Sequence, residues 1–192
     1  MKEKQARKLA EHAVERYDIR EALSVSHYNE ERQELVAADG FRLVVIKIDP
    51  CLQPFPNYVI LIPDSKRILS TMEVNVSDLY KIASLFMNTK CTSVRMILED
   101  KTIKCCSGLR NDPEDDIIYT EAYLPVSTVI GQKTDVKVAV NPKYLLDTAK
   151  ALKSIKESTK CKIAICSPSA PITFKAGDYT EVVMPMYVKW EV

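Results

Sequence analysis

The stretch DVKVAVNPKYLLDTAKAL, residues 135–152, changes its period partway through. From Asp135 to Val140 the apolar residues alternate, the pattern of a strand with one buried face. Asn141 then stands as a helix N-cap, with Pro142 at the first helical position. Leu145, Leu146, Ala149 and Leu152 follow at helical spacing. Downstream, Lys162–Cys166, Ile172–Lys175 and Glu181–Val188 read as strands, parted by the turn signals Ser167-Pro168 and Gly177-Asp178. The order is strand, helix, strand, strand, strand.

Working outward, residues 72–125 repeat that order. A strand Met72–Val76 leads into a helix with Asn75 as N-cap and Asp78 three residues on. Leu79, Ile82, Ala83, Phe86 and Met87 form its apolar face, and strands Ser93–Leu98, Thr102–Cys106 and Ile117–Leu124 follow. The offset between the copies is about 64 residues, an internal duplication of a βαβββ unit. Residues 2–48 give a third copy without its leading strand. Its helix carries Ala6, Leu9, Ala10, Ala13, Val14 and Tyr17, and its strands are Arg20–His27, Glu34–Ala38 and Phe41–Ile48; Tyr58–Ile62 is a further strand candidate. One helix cannot cover one unit's sheet, but two units side by side make a continuous sheet backed by two helices. The fold class is therefore α+β: repeated βαβββ units whose antiparallel sheets are backed by helices.

The chain of 192 residues is 46% hydrophobic and 28% charged, a globular composition. No apolar run reaches the length of a membrane span, and the charged start MKEKQARK does not read as a signal peptide, so a cytoplasmic protein is expected. Twenty-seven basic and 26 acidic residues leave a formal charge of +1, so a nucleic-acid surface would require its charges to be segregated on one face. Six cysteines form no CxxC pair and read as reduced, small hydrophobes. His12 and His27 are the only histidines, too few for a His-rich metal site, and no metal or cofactor is expected. No HExxH or Walker A string is present, and the DPEDD run at 112–116 reads as a solvated loop, so a non-catalytic protein is expected. On the helix after Asn141, Lys143, Asp147, Lys150 and Lys153 share a polar face. That face reads either as a solvated surface or as a positive track for phosphates.

Four strings, in order along the chain, resemble the bacterial DNA polymerase III β sliding-clamp family. LVAADGFRL (35–43) is similar to the VATDGHRL of the family's middle domain. FPNY (55–58) followed by Ile62-Pro63 resembles the connector to the last domain. VAVNPKYLLD (138–147) resembles its FNxxY(L/V)LD segment, and VVMPMYV (182–188) its closing VMPM strand. Ala38 and Phe41 replace the family's Thr and His, Tyr187 replaces a basic residue, and residues 189–192 run past the family's usual end. The resemblance implies a DNA-clamp fold in a shortened form. Residues 1–50 match the first half of the middle domain, 51–70 the connector, and 71–192 a complete last domain.

The same resemblance implies a DNA polymerase III-associated processivity factor in DNA replication. Its hydrophobic peptide-binding cleft would be lined by Leu23, Gly40, Phe41, Arg42, Leu43, Pro56, Leu61, Val182, Met184, Pro185 and Met186. The residues suit that role. Gly40 lets a ligand's backbone approach closely, methionines adapt to varied apolar side chains, and Pro185 fits only an edge or a bulge. Ordinary core packing is the other reading of Met184 and Met186. DNA contact is implied for Arg20, Asn141, Lys143, Tyr144, Lys150 and Lys153. The expected partners are double-stranded DNA, a DNA polymerase and other proteins carrying the clamp-binding motif, and a clamp loader; no membrane is expected. A homo-oligomer is expected, because the family ring has twelve units and this chain carries three; an open monomer that serves as a peptide-binding adaptor without encircling DNA is the alternative.

Overall fold

The computed structural model describes residues 1–49, 68–108, 119–132, 136–155 and 158–190. The chain opens with α1 (Glu3–Ala10), a 3-10 turn (Glu11–Ala13) and α2 (Glu21–Ser24), then β1 (His27–Asn29), β2 (Glu34–Ala38) and β3 (Arg42–Lys47). Next comes a unit of β4 (Ser70–Asn75), α3 (Val76–Asn88), β5 (Val94–Glu99), β6 (Thr102–Cys106) and β7 (Glu121–Gly131). Its repeat is β8 (Lys137–Val140), α4 (Pro142–Ser154), β9 (Lys160–Ile165), β10 (Ile172–Ala176) and β11 (Tyr179–Val183). Asn75 and Asn141 cap α3 and α4 as expected, accepting from Ser77 N–H at 2.8 Å and Lys143 N–H at 2.9 Å.

Among the described residues all strand pairs are antiparallel and join one eleven-stranded sheet in the order β1-β2-β3-β11-β10-β9-β4-β7-β6-β5-β8. Alternation decides which side chains go in. Ile163, Phe174, Tyr179 and Val183 are fully buried on the inner face, where α3 and α4 pack against each other and α1 packs on β2 and β3. Leu79 and Phe86 of α3, Leu145 and Leu152 of α4, and Ala6 and Ala10 of α1 complete that core. Burying a Leu- or Phe-sized side chain contributes about 1.5–3 kcal/mol.

Two features set the sheet's outline. Strand β7 pairs with β6 over Glu121–Pro125 and with β4 over Val126–Gly131, so one strand belongs to two halves of the sheet. Gly131 ends it at φ +103, where a Cβ would stand 2.3 Å from the Leu69 carbonyl, so only glycine fits. At the other junction β11 pairs with β3 from Tyr179↔Ile46 to Val183↔Arg42. The chain after β11 continues along β8. Met186 N–H donates to the Ala139 carbonyl at 2.8 Å, Arg95 Nη2 to the Lys189 carbonyl at 3.3 Å, and Lys137 Nζ lies 5.2 Å from the Trp190 ring centre.

The structure corrects four readings. Arg20–His27 is not a strand: α2 occupies Glu21–Ser24, started by an Asx turn in which Asp18 Oδ1 accepts from Arg20 N–H at 2.7 Å. The amino-terminal helical repeat does not reach Tyr17, which is 94% exposed; the helical turns end at Ala13. The last strand stops at Val183, because Pro185 cannot donate to a ladder. β7, in contrast, runs through Pro125 to Gly131, past the expected end at Leu124, because the proline falls where the strand changes partners. The expected strand Tyr58–Ile62 and the DPEDD loop lie outside the described residues, as do residues 117–118. Among the described residues no helix is long and apolar enough to cross a membrane.

Candidate functional site

The β2–β3 hairpin builds the site. Asp39 Oδ1 accepts from Phe41 N–H at 2.9 Å and Arg42 N–H at 2.8 Å, an Asx turn that Gly40 completes at φ +88. A Cβ at Gly40 would stand 3.6 Å from Arg20 Nη2 and 3.9 Å from Leu23 Cδ1, so Arg20 and Leu23 flank the turn. Arg20 is itself held by Asp18, whose carboxyl is lowered to about 2 by that hydrogen bond.

From the turn, Leu43 and Val45 point to the outer face of the sheet, whereas the Phe41 ring turns to Tyr144 of α4. Leu43 and Val45 join Val36 and Val182 in a small apolar cluster on the face opposite the main core. Met184 N–H donates to the Phe41 carbonyl at 2.8 Å, which brings the closing methionines to the hairpin tip. Phe41 (59% exposed) and Met184 (45% exposed) are the accessible residues of this strip. Beside it lies a recess of about 620 Å³ formed by Pro168, Ser169 and the segment from Pro185 to Trp190. Thus Leu23 meets Gly40, Leu43 meets Val182 and Phe41 meets Met184 around the hairpin, while Pro185 and Met186 line the recess. Pro56 and Leu61 lie outside the described residues.

Arg42 does a different job. Its guanidinium is buried and binds Asp39 Oδ2 through Nε at 2.8 Å, Asp147 Oδ2 through Nη1 at 3.1 Å, and the His12 carbonyl through Nη2. It also lies 4.4 Å from the centre of the Tyr144 ring. Burial works against its charge, but Asp39, Glu181 and Asp147 hold its pKa above the ordinary value. Next to it, fully buried Glu181 accepts from Tyr179 Oη–H at 2.5 Å and from His12 Nε2–H at 3.1 Å. Burial and then the Glu181 charge push the Tyr179 hydroxyl well above its usual range. These groups tie α1, β3, β11 and α4 together. Sequence reasoning left His12, Asp147, Tyr179 and Glu181 out of the site. The available signal was the alternation Tyr179–Glu181–Val183, which sets a carboxylate on the buried face.

The residues expected to meet DNA divide into three settings. Tyr144 stacks on Phe41, ring centres 6.2 Å apart at 28°, and so belongs with the hairpin strip. Asn141 serves as the α4 cap. Lys143, Lys150 and Lys153 are exposed along α4; Lys150 faces Lys8 of α1 across a groove of about 430 Å³, and Lys153 lies over the Tyr80 ring at 4.0 Å.

Comparison with solved structures shows that this is a DNA-clamp fold. The chain aligns over 96% of its length with the β subunit of the DNA polymerase of Streptococcus pyogenes (TM-score 0.69, 19% identity). It aligns over 96% with the DNA polymerase sliding clamp of Bacillus subtilis (TM-score 0.72, 14% identity) and over 97% with DNA polymerase III subunit β of Borrelia burgdorferi (TM-score 0.73, 12% identity). It spans 64%, 62% and 61% of those chains, respectively. No family model and no curated protein matches the sequence.

Proposed function

We propose that this chain is a shortened, non-catalytic sliding clamp that binds DNA along its helical face and replication or repair proteins through the hairpin strip. The observation that carries the reading is the Phe41–Met184 hydrogen bond. It brings the backbones of an exposed phenylalanine and an exposed methionine together next to the Leu43–Val182 pair, at a turn whose positive φ favours glycine. Such a strip suits an extended peptide with apolar anchors. Tyr144, from its stack on Phe41, is part of this peptide site. Arg42 acts from beneath as a brace.

The helical face supports the DNA reading through exposed Lys8, Lys143, Lys150 and Lys153. Contacts of this kind track phosphates without reading bases and fade steeply with salt. The alternative is an adaptor that binds peptides through the hairpin strip without encircling DNA.

Isothermal titration with a clamp-binding peptide tests the first part. Saturable heat is expected, with affinity reduced about tenfold by Phe41→Ala and by Met184→Ala; no heat from the wild type removes the reading. Retention on closed circular but not linear DNA, read by co-sedimentation, separates the tether from the adaptor.

A further inference from the structure

Strand register sorts the lysines of this chain between the two faces of its sheet. Val45 of β3 stands opposite Thr180 of β11, Thr180 opposite Lys175 of β10, Lys175 opposite Lys162 of β9, and Lys162 opposite Glu73 of β4. Residues directly opposite in a ladder share a face, and Val45 belongs to the outer apolar cluster with Leu43 and Val182. Lys175, Lys162 and Glu73 therefore lie on the outer face, the face of the hairpin strip. Lys8, Lys143, Lys150 and Lys153 belong to α1 and α4, which pack on the inner face.

The outer row is short of negative charge. Glu73 Oε1 is already engaged, accepting from Lys160 Nζ at 2.7 Å and from Ser127 Oγ at 3.1 Å. Lys162 and Lys175 are both exposed, and among the described residues no ion pair engages either. Like charges directly opposite in a ladder work against folding, so packing gives no reason for this pair. With Glu73, Lys160 and Gly177 the two lysines line a recess of about 370 Å³.

We infer that Lys162 and Lys175 receive an acidic stretch of a partner protein. A carboxylate lying between the two ammonium groups relieves their repulsion. Three observations favour a polypeptide over nucleic acid. The sheet separates this pair from the lysines of the helical face. No aromatic side chain lines the recess to stack on a base. Glu73, at the end of the row, would repel a run of phosphates. The hairpin strip sets the spacing. At about 4.8 Å between neighbouring strands, Lys175 lies about 10 Å and Lys162 about 14 Å from Val45. An extended segment advances about 3.3 Å per residue, so carboxylates about three to five residues from an apolar anchor beside Val45 reach both lysines. This spacing rests on the hairpin strip being a peptide site; the lysine pair does not.

Titration calorimetry on the full chain tests the inference. The probes are a clamp-binding peptide alone, the same peptide extended at either end by Gly-Gly-Glu-Glu-Glu-Glu, and versions with glutamine in place of glutamate. One acidic extension should tighten binding about fivefold at low salt, as two exposed ion pairs would, and the gain should fade at about 0.5 M salt. In Lys162→Gln/Lys175→Gln the gain should vanish while the unextended peptide binds as to wild type. The melting temperature of that variant should not fall, because a repulsive pair has been removed. Equal affinity for glutamate and glutamine extensions at both ends overturns the inference. So does a gain that survives in the double variant, or a lower melting temperature, which would make the lysines a brace of the sheet. If no peptide gives heat, the hairpin reading fails, and carbodiimide coupling of an octaglutamate peptide judges the lysines alone. Amide bonds mapped to Lys162 or Lys175 then support the site, and bonds only at other lysines overturn it.

Discussion

The two βαβββ repeats from β4 to β11 share an order of elements and differ in what surrounds them. Around β11 and α4, an arginine, a histidine, a tyrosine and three carboxylates lock the amino-terminal unit in place. Around β7 and α3 the matching surface carries Tyr123, Leu85 and Met87, exposed. A repeat thus supplies one backbone geometry twice, and side chains decide whether each copy is joined by a buried polar lock or left exposed.

The largest expected effect comes from breaking the lock. Arg42→Met leaves Asp39 and Asp147 without their shared cation and should destabilise the fold by about 3–5 kcal/mol in urea unfolding, the range for removing one partner of a buried ion pair. A loss under about 1 kcal/mol, the level of an exposed pair, would show that the guanidinium is not locked.

Alkali acts on both halves. The Tyr179 hydroxyl is held well above 10.0, and burial pushes the Cys105 and Cys161 thiols from 9.0 to about 12. Folding raises all three, so their stabilising contribution is complete below the unfolded-state values and is lost as pH rises through the folded ones. The melting temperature should fall from about pH 9 upward, and less steeply near pH 10 and above in Tyr179→Phe. A flat profile to pH 11 contradicts this assignment.

Smaller effects sharpen the contrast between lock and surface. Met184→Ala should weaken peptide binding about tenfold yet change stability by no more than about 0.5 kcal/mol, as for an exposed side chain. Lys150→Glu should leave folding untouched and lower the salt slope of DNA binding by about one. A change in unfolding midpoint in either variant would place that residue in the lock.

Much of this was legible in the sequence because it is written locally. Asn75 and Asn141 cap the helices they were expected to cap, since an N-cap needs only its next two residues. β2 and β6 fall at their expected bounds because alternation and flanking turns define them. What escaped depends on distant partners. α2 looked like a strand because four residues carry too little periodicity to outweigh their apolar neighbours. The stacking of Tyr144 on Phe41 could not be read from spacing, because Phe41 comes from a hairpin far away in sequence. Glu181 could be placed on a buried face, but its partner His12 could not be named from spacing.

The ladder between Arg42–Ile46 and Tyr179–Val183 joins residues 133 to 141 positions apart in sequence. Contacts so remote in sequence close late and slow the search for the native state. During synthesis, β3 lacks its β11 partner until the chain has grown past Val183. β2 and β3 therefore wait, one side of their ladder unpaired, until β11 emerges, and aggregation during that interval is the hazard that long-range strand pairing brings.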